Sequence, residues 1–150
     1  MHERDITELN QLAFRYAAAV DACDVSLFLG VFTSDARLRS YHPEADQPFA
    51  DLCGHEQLAA IPNTMRGMYG ATTHMMTNHL VAVEGDNAKG EVLCTARHLN
   101  LDPDAGSINV IVRYIDRYAR HKGAWRIADR QIRFLWSELH AVTDSGMGRG

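Results

Sequence analysis

The stretch that decides the fold is Ala71–Cys94, which reads ATTHMMTNHLVAVEGDNAKGEVLC. It predicts two antiparallel strands, because alternating and β-branched residues flank a turn-forming run at 84–87. His74 stands near the start of the first strand. Alternation along that strand gives one face, which we expect to line a cavity, the side chains of His74, Met76, Asn78 and Leu80.

Two further turns continue this pattern toward the end of the chain. Residues 102–106 and 120–123 are rich in residue types that tolerate turn backbones. Residues 108–118 and 125–136 contain many Val, Ile, Tyr and Trp residues, which favour strands. Long strands joined by tight turns predict an antiparallel meander.

The N-terminal half has a helical pattern. Residues 5–22 carry apolar side chains at helical spacing, and Asp5 with Glu8 resembles a capping box. The pattern predicts the following elements in order: a short helix over 25–32, a turn at 33–35, a strand over 36–41, a loop or irregular edge strand over 42–53, and a helix over 54–69.

Three helices followed by a long antiparallel sheet predict an α+β fold with the helices packed on one face. A strongly twisted sheet curls around its helices and leaves a cavity at the open end, so we expect a cone-like barrel. A length of 150 residues fits a single domain over 1–150. We expect an ordered core over about 5–141 and a flexible tail over 143–150.

Composition argues against several classes of protein. Hydrophobic residues make up 46% and charged residues 23% of the chain, as in ordinary globular proteins. A net charge of -4 gives no electrostatic footprint for nucleic acid, and no apolar run approaches the roughly 20 residues that span a bilayer. The N-terminus lacks a secretory signal, and three cysteines without CxxC spacing indicate a reducing compartment. We therefore expect a cytoplasmic protein that binds neither nucleic acid nor membrane.

The histidines do not predict a metal site. His74 and His79 are an odd number of residues apart, so in a regular strand they face opposite sides and share no ion unless a bulge intervenes. The sequence predicts neither a metal nor another cofactor. Most of the arginines on the later strands are expected on a solvated or ion-pairing outer face: Arg97, Arg113, Arg117, Arg126, Arg130 and Arg133.

Four segments carry a family resemblance: YAAAVDACD at 16–24, THMMTN at 73–78, GEVLC at 90–94 and KGAWRIAD at 122–129. In this order they resemble the SnoaL-like branch of the nuclear transport factor 2-like superfamily, over roughly 5–139. Within this branch, the chain resembles two enzymes in particular, scytalone dehydratase and the lindane dehydrochlorinase. The resemblance implies a cone-shaped α+β barrel with an enclosed site.

The same resemblance implies residues for that site. Asp21 falls on the catalytic aspartate of both enzymes, and His74 falls on their catalytic histidine. His98 falls on the second active-site histidine of the dehydratase. Other pocket positions differ from both enzymes and leave the substrate open. Roles in substrate binding are expected for Tyr16, Tyr41, Met76 and Tyr114.

A histidine paired with a carboxylate suits proton abstraction at neutral pH. Imidazole has a pKa near neutrality, and a carboxylate on its other nitrogen fixes the tautomer and stabilises the imidazolium. We therefore expect a cofactor-independent lyase that performs a dehydratase-like β-elimination, with His74 as base, Asp21 as its partner and His98 as a second acid or hydrogen-bond donor. The expected substrate is small, apolar, and cyclic or aromatic.

Three alternatives remain open from the sequence. The same pair suits an isomerase of the ketosteroid type or a polyketide cyclase. The cone can also serve as a binding module for a small ligand without chemistry, or as the small subunit of a ring-hydroxylating dioxygenase. A large exposed sheet face predicts a homodimer or homotrimer formed through the strands.

Overall fold

Short helices and one large sheet make up the computed structural model, which describes residues 2–143. The predicted flexible tail lies, from residue 144 onward, outside the described residues, and the single domain over 1–150 stays a prediction. No helix within residues 2–143 is both long and apolar enough to cross a membrane. In chain order the elements are α1 His2–Ala22, α2 Val25–Gly30, β1 Phe32–Tyr41, β2 Ala50–Cys53, α3 Gly54–Leu58, α4 Ala60–Met68, β3 Tyr69–Glu84, β4 Asn87–Asn100, a 3₁₀ turn at Pro103–Ala105, β5 Ser107–His121 and β6 Ala124–His140.

The six strands form one sheet in the order β2-β1-β6-β5-β4-β3. Every neighbouring pair is antiparallel except β1 and β6, which run parallel. The hairpin between β5 and β6 turns at Lys122 and Gly123, whose φ angles of 49° and 78° match the strand twist. The predicted α+β fold with a curved, mainly antiparallel sheet is therefore confirmed, including the meander from β3 to β6.

The helices differ in detail from the three predicted at the N-terminus. α1 and α2 precede β1, but the third predicted helix follows β2 and is divided into α3 and α4. The division falls at Ala59, because Pro62 has no N–H to donate and its ring would clash with the carbonyl of Leu58 in a continuous helix. Residues 33–35, predicted as a turn, belong to β1, whose irregular register accommodates them.

The core lies between α1 and the inner face of the sheet. α1 buries the apolar residues that its helical spacing predicts, among them Leu9, Leu12 and Val20. Near its start, Asp5 accepts hydrogen bonds from Nη2 of Arg120 at 2.7 Å and from Nε1 of Trp125 at 3.0 Å. These bonds hold the first turns of α1 against β5 and β6.

A bulge in β3 changes which side chains point inward. The register with β4 shifts between Thr77 and Leu80, and Asn78 has a φ of 52°. Because the bulge adds one residue, the inward set changes parity after it. The predicted inward alternation is therefore right for His74 and Met76, which are half-buried, and does not continue to Asn78 and Leu80, which are exposed. His79 turns inward instead.

Candidate active site

Asp21 and His74 meet where the last turn of α1 crosses β3. Nδ1 of the His74 ring donates to Oδ1 of Asp21 at 2.7 Å, and the backbone N–H of His74 donates to Oδ2 at 3.0 Å. The hydroxyl of Thr72, which is inward-facing like His74, donates to Oδ1 at 2.9 Å. Three donors therefore fix the carboxylate against the strand.

This contact determines the ionisation of Asp21 and the tautomer of His74. Burial raises the pKa of Asp21, but hydrogen bonds from the His74 ring, the His74 backbone and Thr72 outweigh it, and the net pKa lies below the usual value. Asp21 is therefore ionised at neutral pH and holds the ring proton on Nδ1. In this tautomer Nε2 carries the free lone pair. The ring is nearly covered, since the His74 side chain is 6% exposed.

His98 lies beside this pair on β4. Its ring meets the His74 ring edge-on, with centroids 5.4 Å apart, and packs against the Tyr69 ring at 4.6 Å. Burial, together with the positive charge that His74 can acquire, lowers the pKa of His98 to about 4. His98 is therefore neutral at physiological pH. Its buried Nδ1 has no hydrogen-bond partner within the described chain.

Tyr16 of α1 and Tyr114 of β5 are in edge contact in the core, and both rings pack against one buried cation. The guanidinium carbon of Arg130 is 4.2 Å from the centroid of each ring. Arg130 is fully buried and donates to Asp116 through Nε at 2.8 Å and Nη2 at 2.7 Å. Burial disfavours its charge, but the Asp116 carboxylate raises the pKa of Arg130 above its ordinary value. The third nitrogen, Nη1, is buried without a partner in the described residues.

The inward position of Arg130 contradicts its predicted place on the outer face. A bulge at Ala128 shifts the register with β5, so that Arg130 falls on the inner face. The sequence does contain a signal for this shift, because the large apolar residues of β6 change parity. Trp125 and Ile127 point inward before the bulge, and Ile132 packs against the core after it.

The two remaining candidates for substrate binding differ in position. Met76 is half-buried against the core and lies on the same face of β3 as His74. Tyr41 alternates with the inward-facing Leu38 and Ser40, so it lies on the opposite face of the sheet, under the guanidinium of Arg133 at 3.9 Å. Its place in the predicted pocket is therefore wrong.

A small cleft lies between α1 and β3. It has a volume of about 220 Å³, and its lining includes Asn10, Phe14, Met76, Asn78 and His79 but neither Asp21 nor His74. The other end of the inner face carries half-buried apolar side chains, Ile61 and Met65 from α4 and Ile108 from β5.

Comparisons with known proteins agree with this fold. The family model of the SnoaL-like domain matches residues 2–131. No curated protein matches the sequence.

Three solved structures illustrate the similarity. A "Putative Scytalone Dehydratase" from Novosphingobium aromaticivorans is 16% identical, with 99% of this chain and 97% of that chain covered and a TM-score of 0.81. The LinA-type3 hexachlorocyclohexane dehydrochlorinase from Novosphingobium barchaimii is 17% identical, with 95% and 94% covered and a TM-score of 0.79. A "putative aromatic ring hydroxylase" from Novosphingobium aromaticivorans is 23% identical, with 91% and 94% covered and a TM-score of 0.78. At such identities these structures establish a shared fold.

Proposed function

This chain belongs to the SnoaL-like family, and on that premise we propose that it is a cofactor-independent lyase acting on a small, apolar, cyclic or aromatic substrate. His74 is the general base and Asp21 is its orienting partner. The observation that carries the proposal is the 2.7 Å hydrogen bond from Nδ1 of His74 to Asp21, because it leaves the lone pair on Nε2 for the substrate.

The reaction is a β-elimination. Nε2 of His74 removes a proton from a carbon next to a carbonyl or next to the carbon that bears the leaving group. The electron pair of the broken C–H bond forms the new double bond, and the leaving group departs with its own bonding pair. Asp21 stabilises the imidazolium that forms, because its carboxylate stays ionised against the ring.

Two further groups are proposed to stabilise the negative charge that develops on the substrate during the elimination. A neutral His98 cannot serve as a cationic acid near pH 7, so its role is that of a hydrogen-bond partner to a substrate oxygen. Arg130 brings a fixed positive charge to the inner face, and its unpartnered Nη1 is suited to an oxyanion or a departing anion. The substrate-binding roles of Tyr16, Met76 and Tyr114 are part of the same proposal.

A panel of eliminations tests this assignment. Purified full-length protein is incubated with halogenated cyclohexanes and with cyclic β-hydroxy ketones, and halide release and the absorbance of the new double bond are recorded. The variants His74→Ala and Asp21→Asn are expected to lose about 10²- to 10⁴-fold in turnover. The control His121→Ala, at an exposed position, is expected to behave like the wild type.

The outcomes separate the candidate functions. Turnover that survives His74→Ala contradicts the dyad as the catalytic group. If the wild type and the variants all bind these compounds tightly and none of them turns the compounds over, the binding module is favoured. Conversion of an added β,γ-unsaturated cyclic ketone to its conjugated isomer, with no leaving group released from the other compounds, favours the isomerase.

A further inference from the structure

A second polar cluster lies in the core and takes no direct part in the proton abstraction proposed above. It begins at His79, which the bulge at Asn78 turns inward. Nε2 of His79 lies 3.0 Å from the hydroxyl of Tyr118, and Nδ1 lies 2.8 Å from the side chain of Asn10 on α1. The Tyr118 hydroxyl in turn donates to Oδ2 of Asp116 at 2.7 Å.

The cluster ends at Arg130. Asp116 is 1% exposed and accepts two hydrogen bonds from Arg130, so each of its oxygens has at least one donor. Four side chains on β3, β5 and β6 thus form one hydrogen-bonded chain, which we call the His79 chain: His79, Tyr118, Asp116 and Arg130. A buried carboxylate held this way has little freedom to rotate, and the planar guanidinium follows it.

The number of available protons determines which group donates in each hydrogen bond of the His79 chain. The Tyr118 hydroxyl has a single proton, and Asp116 receives it. The oxygen of Tyr118 can therefore only accept from His79, which requires a proton on Nε2. Burial lowers the pKa of His79, so the ring is neutral near pH 7 and Nδ1 accepts. A half-turn of the Asn10 amide places its N–H₂ group as the donor to Nδ1.

The backbone is adapted to this chain at two places. Asn78 adopts a positive φ, which costs a non-glycine residue energy, and the result is the inward position of His79. Gly90 on β4 lies under the Tyr118 ring, where an added Cβ would be 3.1 Å from Cε2 of Tyr118 and 2.9 Å from the backbone oxygen of Leu80. A side chain at Gly90 would displace the Tyr118 ring and break the hydrogen bonds of the His79 chain.

We propose that His79 is a positioning residue for Arg130. Through Tyr118 and Asp116 it sets the orientation in which Arg130 packs against the rings of Tyr16 and Tyr114, with Nη1 free for the charge that develops on the substrate. The inference rests on the proposed function for the role of Arg130. The chain itself can be tested without a substrate.

The first test is nuclear magnetic resonance on the full-length protein labelled with ¹⁵N in histidine and arginine. A proton on Nε2 of His79 near pH 7 supports the chain. A neutral ring protonated on Nδ1 overturns it, because Tyr118 would then donate to His79 and not to Asp116.

The second test follows the Nε–H signal of Arg130 in two variants. His79→Gln keeps an N–H donor toward Tyr118, and His79→Leu removes it. The leucine variant is expected to shift the signal and to accelerate its exchange with water about tenfold, the equivalent of one lost hydrogen bond. The glutamine variant and the exposed control His121→Leu should resemble the wild type. An unchanged Arg130 signal in His79→Leu overturns the proposal.

The third test uses any substrate found by the elimination panel. His79→Leu is expected to lower kcat about 10- to 100-fold with KM little changed, because the anion-stabilising group is misplaced. His79→Gln should restore most of the rate. If His79→Leu and His79→Gln have the same kcat per folded molecule, the role of His79 is overturned. If His74→Ala is inactive in the same assay, the proposed function still stands.

Discussion

The chemistry proposed here depends on which nitrogen of His74 carries the proton. Asp21 accepts from Nδ1, so the free lone pair lies on Nε2. The His98 ring stands edge-on to the His74 ring with centroids 5.4 Å apart, and burial keeps His98 neutral. In the proposed function, His74 is the base and His98 is a neutral hydrogen-bonding group.

The neutral state of His98 predicts a pH dependence of stability. Its folded pKa of about 4 lies below the ordinary 6.5, so between these values the unfolded chain binds a proton that the folded chain does not. Stability attributable to His98 is therefore full above pH 6.5 and falls as the pH drops toward 4. Between pH 7 and pH 5 the loss is about 2 kcal/mol.

Urea unfolding at pH 7 and pH 5 measures this effect. His98→Gln should show a smaller loss of stability on acidification than the wild type, while the exposed control His121→Gln should show the same loss. An equal loss in His98→Gln and the wild type would mean that His98 is not held neutral by the fold.

Single residues of the dyad were predictable, and those of the His79 chain were not. Asp21 and His74 stand in segments that resemble a family, and their contact follows from that alignment. Arg130 and His79 reach the interior only because bulges at Ala128 and Asn78 reverse the strand parity. Alternation read from the sequence counts every residue equally and cannot place a bulge without cross-strand neighbours.

At the scale of elements, the bulge in β3 separates two hydrogen-bonded clusters on one strand. Residues before it supply Thr72 and His74 to Asp21, and residues after it supply His79 to Tyr118. The β3–β4 pair thus serves both the dyad and the His79 chain.

The backbone at the bulge predicts which substitutions it tolerates. Asn78 has a φ of 52°, a region that glycine and asparagine adopt more easily than β-branched residues. Asn78→Val should lower the free energy of unfolding by about 1–3 kcal/mol, and Asn78→Gly should change it little. Urea unfolding measures both, with the exposed neighbour Thr77→Val as the control. An unchanged free energy of unfolding in Asn78→Val would contradict the bulge geometry.

The helices show the same limit on sequence analysis. Helical spacing identified α1 and its buried face, because the apolar period is long and regular. The third predicted helix was placed correctly in the chain, but its division into α3 and α4 depends on local geometry around Pro62. Periodicity locates a helical segment better than it locates a break.

At the scale of the whole molecule, the outer face of the sheet exposes several large apolar side chains. Met75 is 44%, Leu80 75% and Trp136 55% exposed on this face. Two of the predicted outer-face arginines, Arg97 and Arg113, are exposed on the same face of the sheet. Exposed apolar area with a charged rim is typical of protein interfaces.

We therefore propose, as the sequence predicts, that the protein forms a homodimer or homotrimer through this face. Trp136→Glu should weaken the assembly at least about tenfold, because a central aromatic residue is replaced by a charge. Sedimentation velocity measures the change. Phe14→Glu, an exposed aromatic on α1, is the control and should leave the assembly intact. A monomeric wild type would contradict the proposal.

The central claim is that Asp21 holds His74 as a base that removes a proton from carbon. The most direct measurement is the exchange of α-protons of a cyclic ketone, such as cyclohexanone, with deuterium from heavy water, followed by nuclear magnetic resonance. The wild type should accelerate this exchange, and His74→Ala should reduce the acceleration about 10²-fold or more, with Asp21→Asn also strongly reduced. Exchange that is equally fast in the wild type and in His74→Ala would contradict the account.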